Sequence, residues 1–415
     1  MEINLVLTLF AGALLLFSAF STLLQRISLP GPLLCLAFGV LIGPYALDLL
    51  RMGDLQVSTG TLLEQAARIT LAMGLAGVAL RLPHGYWQAN ARWIAVIIGL
   101  GMALMLVVAT GVLWWGLGAS FLLALLVGAI ITPTDPVVTT PIVTGSLAEE
   151  KITERVRHNL SAESGINDGL GYLFVMLPVL LMTAPDRAWH EFLLKVLLWE
   201  VLGAVFIGAV AGFLLGKLFV FVQEHDFMEE SSYLAFIVPL GLLLLGAGKL
   251  IGTDGLLAVF VGVAVFGQVI PQREEAEEDK VQDAIARLFL LPVFVLLGLA
   301  LPIGEWSSVG WGAVAVVTAA VLLRRLVTLW VLRPLLKSVH DRSETFFLSW
   351  FGPIGVSALF YATLAERHTG NHEIFLLATL AITCSVLIHG ITAAPLSAWL
   401  KKQEPEDKQQ KEGSH

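Results

Sequence analysis

Long apolar runs alternate with short polar turns along the whole chain, and the turns hold most of the charge. A run of about 20 apolar residues crosses a bilayer as a helix, because lipid offers backbone polar groups no hydrogen-bond partner. Thirteen runs fit this description. The first seven cover 4–24, 31–50, 62–81, 92–117, 119–143, 156–183 and 191–222. The last six cover 232–250, 253–270, 284–301, 308–338, 345–366 and 373–400. The pattern predicts an all-α polytopic membrane protein with about 13 transmembrane helices and no connection long enough for a soluble domain. The segment 401–415 is charged and lacks apolar residues, which predicts a disordered tail.

Composition closes off the alternative. Of 415 residues, 57% are hydrophobic and 14% charged, with a mean hydropathy of +0.81. A soluble chain carries roughly 25% charged residues, so the charges to cover several soluble domains are missing. The net charge of −8 argues against nucleic acid as a partner. Cys35 and Cys384 lie far apart in apolar runs and suggest neither a disulfide framework nor a metal site. The first run lacks the basic flank and small-residue site of a cleavable signal peptide. Lys and Arg favour the odd-numbered connections and the start of the tail. There stand Arg26, Arg81, Arg92, Lys151, Arg155, Arg157, Arg273, Lys280, Arg333, Lys337, Arg342, Lys401 and Lys402. The even-numbered connections hold Arg51, Arg187 and Arg367. This bias predicts a chain in the cell (inner) membrane with its C-terminus in the cytoplasm and its N-terminus outside.

Ionisable residues at membrane depth are costly and face a bundle interior or a water-filled path. Those that stand out are Asp135 in span 5, Glu163 and Asp168 in span 6, and Arg324 and Arg325 in span 11. His389 in span 13 is a weaker member. Span 5 reads GAIITPTDPVVTTPIVTG, with Pro133, Pro136 and Pro141 inside nine positions. Each proline removes a helical N–H and crowds the carbonyl four residues earlier, so Pro136 frees Thr132 and Pro133 frees Ala129. A broken helix with exposed carbonyls suits cations, and Asp135 also suits capping. In span 6, Ser164 and Asp168 are four apart, as are Glu163 and Asn167, which makes one polar sector on an apolar helix. The span 11 arginines call for a buried carboxylate, with Glu163 the candidate and both Arg324 and Arg325 open as its partner. Span 12 is interrupted at Gly352-Pro353 and Gly355. Spans 4–6 and 11–13 therefore share one pattern: a long helix, a broken helix, then a helix with polar residues. Spans 1–6 and 8–13 then read as inverted repeats around two crossed discontinuous helices, 5 and 12.

Thr134-Asp135-Pro136, then Glu163-Ser164 with Asn167-Asp168, the mid-span arginines, Gly352-Pro353-Ile354-Gly355 and His389-Gly390 resemble the monovalent cation/proton antiporters of the NhaP-type sodium/proton exchanger family. The resemblance covers nearly all of the membrane residues. It implies a homodimer with helices 1–3 (1–90) and 8–10 (231–302) on the dimerisation side. Helices 4–6 (91–190) and 11–13 (303–400) form the core, helix 7 (191–230) links the halves, and 401–415 is a cytoplasmic tail. By the same resemblance, Asp168 alternately binds cation and proton. Asp135, the Ser164 hydroxyl and the Thr134 carbonyl complete the cation shell, Glu163 pairs with Arg325 or Arg324, and Asn167 marks the electroneutral branch. Two departures remove charge near the ion path. Ile354 stands where the family often has Arg or Lys, and Leu75 where it often has an acidic residue.

The chemistry also stands without the family. A carboxylate in a low-dielectric cavity holds a proton or a cation but not both, and meeting one side at a time gives obligate exchange. Oxygen ligands suit Na⁺ or Li⁺, with K⁺ the alternative, and no cofactor is implied. A cation channel lined by Asp135 and Asp168 is disfavoured by the two breaks and the lack of a repeated filter loop. An intramembrane hydrolase lacks both a GxGD-type segment and HExxH. Among weaker features, His389 reads as a packed histidine, His158 and the 272–280 loop as a solvated face, and Glu200 and Lys249 as interfacial. The sequon Asn159-Leu160-Ser161 falls on the cytoplasmic side.

Overall fold

A computed structural model describes residues 3–19, 30–55, 57–135, 138, 152–225, 227, 233–271, 288–289, 291–336 and 342–403. These residues form helices and turns, with no strand among them. The helices are α1 (Ile3–Ala19), α2 (Gly31–Ile42), α3 (Thr59–Arg81), α4 (Tyr86–Leu117), α5 (Phe121–Ile131), α6 (Glu154–Thr183) and α7 (Pro185–Glu224). They continue with α8 (Tyr233–Ile251), α9 (Gly255–Val269), α10 (Leu291–Ala300), α11 (Ile303–Leu332), α12 (Arg342–Trp350), α13 (Val356–Thr369) and α14 (His372–Gln403). Among the described residues, six helical stretches are long and apolar enough to cross a membrane: α3, α4, α6, α7, α14 and Val309–Leu335. The chain is a multi-pass membrane protein.

Local chemistry sets the helix ends. Ser58 and Ser120 cap α3 and α5 by accepting from Thr61 N and Leu123 N at 3.2 and 3.3 Å. The second apolar run extends to residue 50, but α2 stops at Ile42. Gly43 and Pro44 turn the chain there, since Pro44 has no N–H to continue a helix. α11 is kinked at Gly310, whose φ of 79° is a left-handed conformation that a side chain would strain. At the other end of the chain, α14 runs on through Lys401, Lys402 and Gln403, which corrects the expectation of a tail beginning at 401. Pro136, Pro141, the 272–280 loop, Arg26, Lys151, Arg273, Lys280, Lys337 and 404–415 lie outside the described residues.

Packing then places the polar residues. α4 lies against α11 and α5, α6 against α5 and α13, and α14 against α13, α11 and α5. A second set pairs α2 with α10, α7 with α9, and α8 with α9, while α3 touches both α9 and α13. Asp135, just beyond α5, and the mid-helix charges of α6 and α11 end up inside the first set. Arg324, Arg325, Asp135, Glu163 and Asp168 are all at most 1% exposed.

Candidate cation site at the two helix breaks

Two interruptions meet here. α5 ends at Ile131 before Pro133, and α12 and α13 are separated by residues 351–355. The Asp135 N–H donates to the Pro353 carbonyl at 2.8 Å, which ties one break to the other. The ends so exposed carry partial charges of both signs. At the positive N-terminus of α13, Asp135 Oδ2 accepts from the N–H groups of Val356 and Ser357, the latter at 3.3 Å. At the negative ends, Arg324 donates to the Thr132 carbonyl at 2.6 Å and the Gly352 carbonyl at 2.7 Å. Thr132 is the carbonyl that Pro136 was expected to free. Asp135 thus caps the half-helix of the other break. Gly355 makes this possible, because a Cβ there would stand 2.7 Å from Asp135 Oδ2.

Glu163 takes Arg325 as its partner. The guanidinium grips the carboxylate with two hydrogen bonds, the Nη2–Oε2 bond being 2.8 Å, and both side chains are at most 2% exposed. Arg325 Nε also donates to the Leu348 carbonyl at 2.6 Å, which fastens α12 to α11. A Cβ on Gly352 would meet Arg325 Cδ at 2.1 Å, so the break needs glycine for this approach.

Between these charges lies the polar sector of α6. Asn167 Oδ1 accepts from Thr134 N at 3.1 Å and its Nδ2 donates to Thr134 Oγ1 at 2.8 Å. Thr134 Oγ1 and Ser164 Oγ share a hydrogen bond at 3.2 Å. Asp168 differs from all of these: it is fully buried and neither carboxylate oxygen has a hydrogen-bond partner. Its backbone carbonyl accepts from Tyr361 Oη. Asp135 stands within electrostatic reach of the Asp168 carboxylate, and the Ser357 hydroxyl lies beside it, outside hydrogen-bonding geometry. A buried carboxylate with no partner is costly, and a proton or a bound cation would lower that cost. Among the described residues no three His, Cys, Asp or Glu side chains converge as a metal site.

Every described residue of the sequence-derived set therefore converges here except that Pro136 is outside the described residues. His389 is a packed, hydrogen-bonded histidine, contacting Ser385 O at 2.9 Å and Trp350 O at 3.0 Å. Ser385 Oγ in turn accepts from Ile354 N at 2.9 Å, holding the second break. Asn159 is buried and hydrogen-bonded to Tyr86, so the sequon is inaccessible. Ser357 and Tyr361 are absent from the sequence-derived set, since a lone Ser or Tyr in an apolar run carries no signal until its neighbour is known. Glu64 and Arg68 are absent too, although two charges inside an apolar run were a visible signal. Glu64 accepts two hydrogen bonds from Arg367, at 2.8 and 2.9 Å.

A family model described as sodium/hydrogen exchanger, transmembrane, matches residues 12–399. Na(+)/H(+) antiporter 2 of Zygosaccharomyces rouxii is 29% identical over 394 residues, covering 86% of this chain and 48% of that protein. The Na(+)/H(+) antiporter of Schizosaccharomyces pombe is 29% identical over 427 residues, covering 96% and 91%. The K(+)/H(+) antiporter NhaP2 of Shewanella sp. (strain ANA-3) is 26% identical over 402 residues, covering 95% and 67%. The chain thus spans about half the length of the first of these relatives and nearly all of the second. The fold is similar to that of the sodium proton antiporter MjNhaP1 from Methanocaldococcus jannaschii, with a TM-score of 0.74 and 20% identity, covering 97% of this chain and all of that one. With a family model that runs through both breaks and all the buried charges, the chain belongs to the transmembrane sodium/hydrogen exchanger family.

Proposed function

We propose that this protein exchanges a monovalent cation for a proton across the membrane, with the two competing for Asp168. The observation that carries this reading is the Asp168 carboxylate itself, fully buried with both oxygens unpartnered at the junction of two helix breaks. Binding a cation there displaces the proton, and binding a proton displaces the cation. If the site opens to one side at a time, that competition couples the two fluxes. Asp135, Ser164 and the Thr134 carbonyl supply further oxygens, and the Glu163–Arg325 pair holds the helices around them. Asn167, next to Asp168, carries no charge, so one carboxylate trades one proton for one cation and the exchange is electroneutral.

The preferred cation is Na⁺, in line with the names of the two fungal relatives, and Li⁺, a hard ion of the same charge, is accepted as well. K⁺/H⁺ exchange by the same mechanism is the second reading. It is favoured by the bacterial relative named as a K(+)/H(+) antiporter and by the uncharged Leu75 and Ile354. The helices of spans 4–6 and 11–13 act as the moving core, and those of spans 1–3 and 8–10 form a homodimer in the cell (inner) membrane, C-terminus inside.

The test is proton movement in proteoliposomes holding a pH dye, with Na⁺, Li⁺ or K⁺ added in turn, with and without a voltage clamp. Cation-driven proton efflux that ignores the clamp and vanishes in Asp168→Asn is the expected result. An active Asp168→Asn protein sinks the assignment of Asp168; uncoupled current in the wild type replaces the antiporter with a channel. Flux driven by K⁺ alone keeps the mechanism and changes the substrate.

A further inference from the structure

The Asp168 carboxylate faces α13 as well as α5. Ser357 is the second residue of α13, its side chain is 0% exposed, and its Oγ has no hydrogen-bond partner. Its backbone N–H is already committed to Asp135, so the fold of the break does not depend on the hydroxyl. Ser164 and Thr134, by contrast, spend their hydroxyls on each other and on Asn167. Three buried oxygens thus remain unsatisfied, the two of Asp168 and the one of Ser357 beside it. A hydroxyl carries one donor and two acceptor lone pairs. It can accept the proton of a neutral Asp168, and it can offer a lone pair to a cation held by the ionised one. The helix N-terminus behind Ser357 is positive and would repel a cation. The Asp135 carboxylate covers that terminus, which leaves the hydroxyl as a usable ligand.

We infer that the Ser357 hydroxyl is a cation ligand on the α13 side of the site and helps set which monovalent ion is preferred. This inference rests on the proposed exchange at Asp168 and deepens it. An uncharged oxygen from a second helix adds a distance constraint, and ion choice follows the number and spacing of such oxygens.

The test compares wild type, Ser357→Ala and Ser357→Thr as full-length protein. One measurement is ²²Na⁺ binding in detergent, competed with Li⁺ and K⁺; the other is exchange in proteoliposomes. Losing one ligand predicts that Ser357→Ala weakens Na⁺ binding and raises KM about tenfold, which corresponds to about 1.4 kcal/mol. The maximal rate and the unfolding temperature stay near the wild-type values, and the order of Na⁺, Li⁺ and K⁺ changes. Ser357→Thr, which keeps the hydroxyl, restores affinity and order. A merely structural serine would move the unfolding temperature and leave ion order alone. If Ser357→Ala binds and exchanges as the wild type does, while Asp168→Asn is inactive, the Ser357 assignment falls and the antiport reading stands. If the wild type neither binds nor exchanges any of the three cations, both fall together.

Discussion

Asp168 apart, the charges at the centre of this molecule are held in fixed contacts, and each arginine of α11 has a different task. Arg325 holds Glu163, while Arg324 holds the Thr132 and Gly352 carbonyls. The two are adjacent in sequence, so replacing one does not free the other to take its place. Removing one member of a buried ion pair leaves an uncompensated charge at about 3–5 kcal/mol. Glu163→Gln is therefore expected to lower stability by about that amount, and Arg325→Met similarly, because it also orphans the Leu348 carbonyl. The double change Glu163→Gln with Arg325→Met costs less than the sum of the two, since no charge is left without its partner. Unfolding in detergent, taken round this double-mutant cycle, checks the claim; strictly additive costs would mean that the pair contributes nothing as a pair.

Helices in lipid gain no hydrophobic advantage by pairing, so close backbone approach matters more than greasy side chains. Gly208, Gly212 and Gly216 recur every four residues along α7 and face α9. A Cβ on Gly212 would stand 2.0 Å from the Gly262 carbonyl oxygen, which is backbone and cannot swing away. Gly212→Ala is expected to force α7 and α9 apart at about 1–3 kcal/mol. Gly246→Ala, where nothing lies within 4 Å, is the neutral control in the same thermal assay. The N-termini of α11 and α14 and the C-terminus of α13 are joined by His372, which bonds Glu366 at 2.6 Å and approaches Glu305 at 3.4 Å. The hydrogen bond to Glu366, with Glu305 adding its charge, holds this imidazole above its ordinary value of 6.5. A proton held more tightly in the folded state adds stability below the unfolded pKa, and that gain is lost as pH rises through the folded value. Relative to His372→Gln, the wild type should thus lose unfolding temperature as pH rises above 6.5; parallel curves would refute the link. Elements were the most legible scale in the sequence, because apolar runs report helices and Pro133, Gly352 and Pro353 report their interruption. Two crossed breaks were expected from the pattern of spans 5 and 12, but the contacts that join them were not legible. Asp135 caps residues 356 and 357, and no local pattern encodes a contact across that separation.

Over the whole molecule, the pair of Glu64 and Arg367 bridges the two sets of helices, since α3 packs on α9 on one side and α13 on the other. The pair is lopsided: the Glu64 side chain is 9% exposed and that of Arg367 51%. Losing Arg367 leaves a nearly buried carboxylate, but α3 carries a second arginine four residues beyond Glu64. Arg68 Nε is buried and has no hydrogen-bond partner. Glu followed by Arg at this spacing is the favourable order for a pair on one helix face. Arg68 can therefore take up Glu64 when Arg367 is removed by mutation. Arg367→Gln alone is then expected to cost about 1 kcal/mol, the worth of a half-exposed pair, and Arg68→Gln alone less. The double variant leaves Glu64 with neither and should exceed the sum by about 1–3 kcal/mol, the penalty of a buried unsatisfied group. Glu64→Gln added to the double variant removes the charge and recovers most of that loss. Unfolding temperatures of the four proteins and the wild type decide it: additivity of the two arginines would show that Arg68 never reaches Glu64, and the bridge between the two sets would then rest on Arg367 alone.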